Sequence, residues 1–261
     1  MTNKEPITQT KLFGLDKFIK ELIYLNDFSN LPNKILLSGQ KGIGKSTLAY
    51  HFINYILSKD EKYKYDTNNL EINHDNHSYK TVLNKSNPNL IRIDIGLENK
   101  SIDIDQIRGL ISTLNKSSFN NKPRFVLIDN IEYLNINSVN ALLKVLEEPS
   151  FNVYFILINN NKNILPTLLS RCINFKISLS NKESFEIASK LLNDDLNNII
   201  SKDLINYYFT PGKIYNLVKF GVDNNYDLKK LKLREFLELI IENNHYKKYS
   251  LFKHMIFEFI E

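Results

Sequence analysis

Between residues 12 and 26 apolar side chains recur at helical spacing, with Leu15, Phe18, Ile19, Leu22 and Ile23 on one stripe, which predicts an amphipathic helix. A short apolar run at 34–38 follows a Leu-Pro-Asn turn and reads as a buried strand. Residues 46–57 predict a long apolar helix, and 90–94 alternate like a strand. A helix over 104–114, a fully buried strand over 124–129, a helix over 138–148 stopped by Pro149, and a buried strand over 153–158 follow. Residues 60–86 are polar, rich in Asn, Lys, Tyr and His, and carry no sustained period, so they read as a surface insertion.

Strands that alternate with helices and are apolar almost throughout imply an α/β fold, a parallel sheet covered by helices on both faces. After Phe175 only helical patterns remain, over 182–192, 196–209 and 211–220. A boundary near residue 177 therefore separates the α/β domain from a small all-α one. A polar stretch at 222–227 then precedes a helical tail with apolar stripes at 231–241 and 251–260.

Composition changes this picture little. The chain has 261 residues, 43% hydrophobic and 24% charged, enough for a sizeable core. Its 34 basic and 29 acidic residues leave +5, which is compatible with nucleic-acid contact without requiring it. Cys172 is the single cysteine, which excludes an internal disulfide framework or a cysteine-cluster zinc site and fits a reducing compartment. His74 and His77 stand close in sequence, but two histidines fall short of the four ligands of a structural zinc site, so no zinc is expected. No run approaches the ~20 apolar residues that span a bilayer, and residues 1–10 lack a signal-peptide core, so a cytoplasmic protein without membrane contact is expected.

The candidate chemistry begins at residue 39. Gly39, Gln40, Lys41, Gly42, Ile43, Gly44, Lys45, Ser46 and Thr47 fit GxxxxGK[ST], between the expected strand and helix. Glycines let such a loop fold into a nest of inward N–H groups, and the helix that follows adds its positive end. Lys45 would reach the β- and γ-phosphates of ATP, and Ser46 would ligate Mg²⁺. Asp129, at the end of the 124–129 strand, would hold the same Mg²⁺. The next residue is Asn130, which cannot act as a base; Glu132, further on, is expected to point elsewhere unless the chain bulges. Nucleotide binding with weak hydrolysis, or none, follows for the isolated chain.

The segment from Asn140 to Pro149, Asn-Ala-Leu-Leu-Lys-Val-Leu-Glu-Glu-Pro, followed by a strand and then by Ser170-Arg171-Cys172, is specific as a pair. Together with the loop at 41–49 and Asn87-Pro-Asn-Leu90, it resembles the AAA+ clamp-loader subunits of bacterial DNA polymerase III over roughly residues 12–220. The resemblance implies an AAA+ P-loop domain at 1–176, with 60–86 as an insertion lacking zinc cysteines, a helical lid at 177–222 and a reduced helical collar segment at 223–261. It assigns Arg171 as an arginine finger supplied in trans to a neighbour's γ-phosphate. Asn159 becomes sensor 1, with Asn160 beside it, and Lys213 a sensor 2 where Arg is usual. The implied partners are gamma/tau and delta subunits in a ring, the sliding clamp, and primed DNA. Asn130 in place of the water-polarising acid, beside a retained arginine finger, resembles the delta-prime kind of subunit, although the zinc cysteines common to that kind and to the motor subunits are absent. A gamma/tau-type motor ATPase and a DNA-binding scaffold with a structural P-loop remain the alternatives.

Overall fold

The computed structural model describes residues 5–95, 101–205 and 209–248. These fall into two packing units that divide between Ser178 and Leu179, close to the expected boundary.

In the first unit, α1 (Asp16–Asp27) buries Ile19 and Leu22, as its apolar stripe requires. Strand β1 (Lys34–Ser38) leads through the glycine loop into α2 (Lys45–Leu57), a helix buried on nearly every side. Helix α3 (His77–Leu83) precedes β2 (Leu90–Ile93), and α4 (Ile104–Leu114) precedes β3 (Arg124–Ile128). Helix α5 (Ile136–Glu147) leads to β4 (Val153–Asn159), and the short α6 (Pro166–Leu169) to β5 (Ile173–Lys176).

The five strands are parallel in the order β2-β3-β4-β1-β5. All their carboxyl ends therefore lie at one end of the sheet, where open α/β sheets place ligands. Because β4 lies between β1 and β3, the chain leaving β4 emerges between the glycine loop and Asp129. Leu36, Val126, Ile128, Phe155 and Leu157 from the sheet pack with Ile107, Leu110, Leu142 and Leu146 of α4 and α5.

The insertion read over 60–86 is packed in part: Tyr65, Leu70, Ile72, Tyr79 and Val82 are buried. Asn76 caps α3 by accepting from the Tyr79 N–H at 2.7 Å, donates to the Tyr63 carbonyl at 2.7 Å and accepts from Asn54 of α2 at 3.0 Å. A buried amide with all these partners fixes the segment against α2. Polarity hid this, because the segment is held by specific hydrogen bonds around a few aromatic anchors.

The second unit contains α7 (Asn181–Leu192), α8 (Leu196–Ile199), α9 (Pro211–Asp223), α10 (Leu233–Glu242) and α11 (His245–Lys248). Ala188, Leu196, Leu204, Leu217 and Phe220 share one core with Leu228, Phe236 and Ile240. Residues 223–248 thus pack with 179–222, and no break in packing separates a lid from a collar there. The helix expected over 251–260 lies outside the described residues.

Candidate nucleotide site at the carboxyl end of the sheet

The loop between β1 and α2 depends on positive φ angles: Gly39 at 156°, Gly42 at 90° and Gly44 at 94°. Gly39 is further constrained, since a Cβ there would stand 2.3 Å from the Ile177 carbonyl oxygen just beyond β5. Its N–H donates to the Asn159 carbonyl at 3.2 Å, tying the loop to the end of β4. Gly44 is the residue from which α2 starts, so the free N–H groups of that helix face the loop.

Lys45 is only 3% exposed, and its ammonium donates to the Gly39 and Gln40 carbonyls at 2.8 and 2.7 Å. Burial lowers its pKa to about 8, against the pull of Asp129 and Glu132 and with a push from Lys41. It still carries its charge at neutral pH, held in a loop whose carbonyls are modest partners for a buried cation. The Ser46 hydroxyl donates to Asp129 Oδ2 at 2.5 Å, so the two expected metal ligands already touch. Burial holds the Asp129 carboxyl above the usual carboxylate range, with Asp94 adding to the rise, although Ser46 opposes it. A divalent cation would reverse that cost, and a hydroxyl beside a carboxylate is a hard-oxygen donor pair suited to Mg²⁺. A cavity of about 210 Å³ opens beside this pair, lined also by Tyr50, Arg92 and Asp94.

The turn after Asp129 differs from expectation. Asn130 adopts left-handed geometry (φ 57°) and a 3₁₀ turn over Ile131–Tyr133 follows, which curls Glu132 back towards the end of β4. Glu132 accepts from the Asn160 backbone N–H at 3.3 Å and from its side-chain Nδ2 at 2.9 Å. Asn160 Nδ2 also donates to Asn130 Oδ1 at 2.8 Å, and Asn130 Nδ2 donates to Asp94 Oδ1 at 2.7 Å. Asn159 turns away into its own loop, donating to the Lys162 carbonyl at 2.9 Å and accepting from the Lys162 N–H at 3.3 Å. Of the two candidates, then, Asn160 faces the Asp129–Glu132 turn. Sequence reasoning missed the parts of Asp94 and Glu132; Asp94 is legible only as the first residue past a strand adjacent to the one ending at Asp129.

Arg171 lies elsewhere. The parallel register pairs Ile35 with Ile173, so Arg171 is level with residue 33, before β1 begins, whereas the glycine loop starts at 39. At about 3.3 Å per residue the two are roughly 20 Å apart, at opposite ends of the sheet. Its guanidinium donates to Glu147 Oε1 at 2.6 Å and to the Thr167 carbonyl at 2.9 Å. Cys172 beside it is buried among Leu146 and Leu168, and burial pushes its thiol up to about 11, in keeping with a packing role. Lys213 occupies the first turn of α9 in the other packing unit, after Thr210 and Pro211.

Comparison with known proteins sets this geometry in context. The "DNA polymerase III subunit delta'" of Buchnera aphidicola subsp. Baizongia pistaciae is 30% identical over 161 residues, 59% of this chain and 46% of that protein. The "DNA polymerase III subunit gamma/tau" of Mycoplasma genitalium is 28% identical over 203 residues, 77% of this chain and 31% of the other. The chain thus spans about half the length of the delta-prime relative, or less for gamma/tau. Among solved structures, the Thermotoga maritima RuvB Holliday junction branch migration motor superposes with a TM-score of 0.50 at 18% identity, covering 92% of this chain and 81% of its own. That likeness concerns the fold alone, a parallel α/β sheet with helices packed on it. No helix among the described residues is long and apolar enough to cross a membrane. Residues 15–181, most of the α/β unit and the whole of its loop, match the family described as "DNA polymerase III, delta subunit". The chain belongs to that family.

Proposed function

We propose that this chain is a clamp-loader subunit of the delta-prime kind that binds ATP with Mg²⁺ at its own loop and serves a neighbouring subunit's ATP through Arg171. Lys45, Ser46 and the backbone from Gly42 to Thr47 would hold the phosphates, and Ser46 with Asp129 the metal. The metal would neutralise phosphate charge; the chain's own residues orient the nucleotide. Asn130, where a water-polarising acid would help, is an amide already bonded to Asp94, which supports slow turnover by the isolated chain. The gamma/tau and delta subunits, the sliding clamp, primed DNA and a cytoplasmic setting belong to this reading.

The observation that carries it is the position of Arg171. An arginine roughly 20 Å along the sheet from its own glycine loop cannot act on its own nucleotide, so any phosphate it meets belongs to another molecule. The test is titration of the purified chain with Mg·ATP, followed by steady-state hydrolysis with and without gamma/tau and delta subunits. Saturable binding, little turnover alone and a contribution to turnover in the assembly are expected. Absence of saturable binding, or rapid hydrolysis by the chain alone, refutes the reading.

A further inference from the structure

Four polar side chains at the carboxyl ends of β2, β3 and β4 form one hydrogen-bonded line whose direction can be read without ambiguity. At one end Asp94 is a carboxylate, an acceptor only, and it takes the Asn130 Nδ2 at 2.7 Å. Asn130 must then turn its Oδ1 towards Asn160, which can answer only with Nδ2, at 2.8 Å. At the other end Glu132, again an acceptor only, takes the second Nδ2 hydrogen of Asn160 at 2.9 Å and its backbone N–H at 3.3 Å. Exchanging N for O in either amide would set donor against donor or acceptor against acceptor, so the two terminal carboxylates fix both orientations.

We propose that Asp94 and Glu132 are positioning residues that hold Asn160, in part through Asn130, with its carbonyl oxygen and not its amide nitrogen free for the nucleotide. Both N–H bonds of Asn160 are spent inside the line, and its Oδ1 accepts no hydrogen bond among the described residues. A terminal phosphate carries acceptors only, so an outward carbonyl gives it nothing to bind. The line therefore withholds any contribution from Asn160 to telling a triphosphate from a diphosphate. Asn130, on this view, replaces an acid with a relay. The inference rests on the nucleotide reading above.

Two measurements test it on the full chain. In spectra of the side-chain amides, Asp94→Ala should move the Asn160 NH₂ resonance as well as that of Asn130, although Asp94 touches only Asn130 in the line. Asp94→Asn, whose new oxygen can still accept, should leave Asn160 near its wild-type position. Glu132→Ala cuts the line from the other end and should move the Asn130 resonance in turn. In titrations with Mg·ADP and a non-hydrolysable Mg·ATP analogue, the wild-type ratio of affinities is the reference. Asp94→Ala should shift the ratio towards the triphosphate by about fivefold, the worth of one hydrogen bond, by releasing an Asn160 N–H. An unmoved Asn160 resonance in Asp94→Ala overturns the relay. So does an equal change of ratio in Asp94→Ala and Asp94→Asn, which would reduce the effect to lost charge. Should no nucleotide bind at all, the functional reading fails, while the amide resonances still decide the relay.

Discussion

His51 on α2 is fully buried, and lowering the pH should loosen the α/β unit through it. Its Nε2 lies 2.9 Å from the Gln9 carbonyl and therefore donates, so the ring is neutral with Nδ1 accepting from the Tyr65 hydroxyl at 3.0 Å. Burial lowers its pKa from 6.5 to about 4, outweighing the Gln9 bond that favours the charged form. Between those values the unfolded chain binds a proton that the folded one refuses, so stability rises with pH across that window and falls on acidification. The full displacement amounts to about 3 kcal/mol, a large part of a typical domain's stability. The assay is urea unfolding of wild type and His51→Gln from pH 8 to 4, followed by circular dichroism. A glutamine can keep the bond to Gln9 but does not titrate. The stability difference should be constant above about pH 7.5 and then narrow by about 1.4 kcal/mol per pH step below 6.5, as the wild type alone loses ground. Any loss from leaving the Tyr65 hydroxyl unpartnered is independent of pH and cancels from the slope. A flat difference, or an imidazole that titrates near 6.5 by proton resonance, refutes the argument.

Lys45→Ala should lower nucleotide affinity on the order of a hundredfold, since charge-assisted bonds to phosphate have no substitute; equal affinity in a calorimetric titration would contradict it. Gly39→Ala should destabilise the α/β unit by about 2 kcal/mol or more, because the added carbon would meet the Ile177 carbonyl oxygen at 2.3 Å. A denaturation midpoint unchanged from wild type would show that the close approach is not tight. Arg171→Ala should cost under about 1 kcal/mol of stability, as its Glu147 partner is 53% exposed, yet depress hydrolysis by the reconstituted assembly. Wild-type turnover by that assembly would remove the finger.

The centre of the sheet was legible because β1, β3 and β4 are buried on both faces. Runs such as Phe125 to Ile128 admit no other reading once a glycine loop and helices punctuate them. Strand β5 escaped because it is four residues long and largely exposed at the edge of the sheet, so neither length nor apolarity marked it. The docked segment at 60–86 escaped for a related reason: its order comes from Asn76 meeting Asn54 and from Tyr65 meeting His51, and periodicity does not register such contacts. At the site, the glycine loop and Asp129 were readable because their chemistry is tied to fixed spacing. Glu132 was not, because its direction depends on a left-handed Asn130 that the sequence permits without demanding.

The parallel sheet gives the two halves of the proposal a common frame. One end of it presents the glycine loop, Asp129 and Asn160, and the other presents Arg171, held against Glu147 by a 2.6 Å hydrogen bond. A side chain can shift by a rotamer, but strands paired from β2 to β5 cannot slide without breaking their ladders. If Arg171 meets a neighbour's phosphate, any tilt of this unit that brings it closer also moves the chain's own loop as part of the same body. The Glu147 pair then has a defined cost in the assembly, since the guanidinium must exchange that carboxylate for a phosphate oxygen. With the pair only partly buried, the exchange costs little, within about 1 kcal/mol, and leaves the outcome to the charge of the phosphate. An arginine parked on a weak local partner would be released by a neighbour's nucleotide and retained without one. That is the behaviour a subunit needs if it is to report a neighbour's occupancy while turning over little ATP of its own.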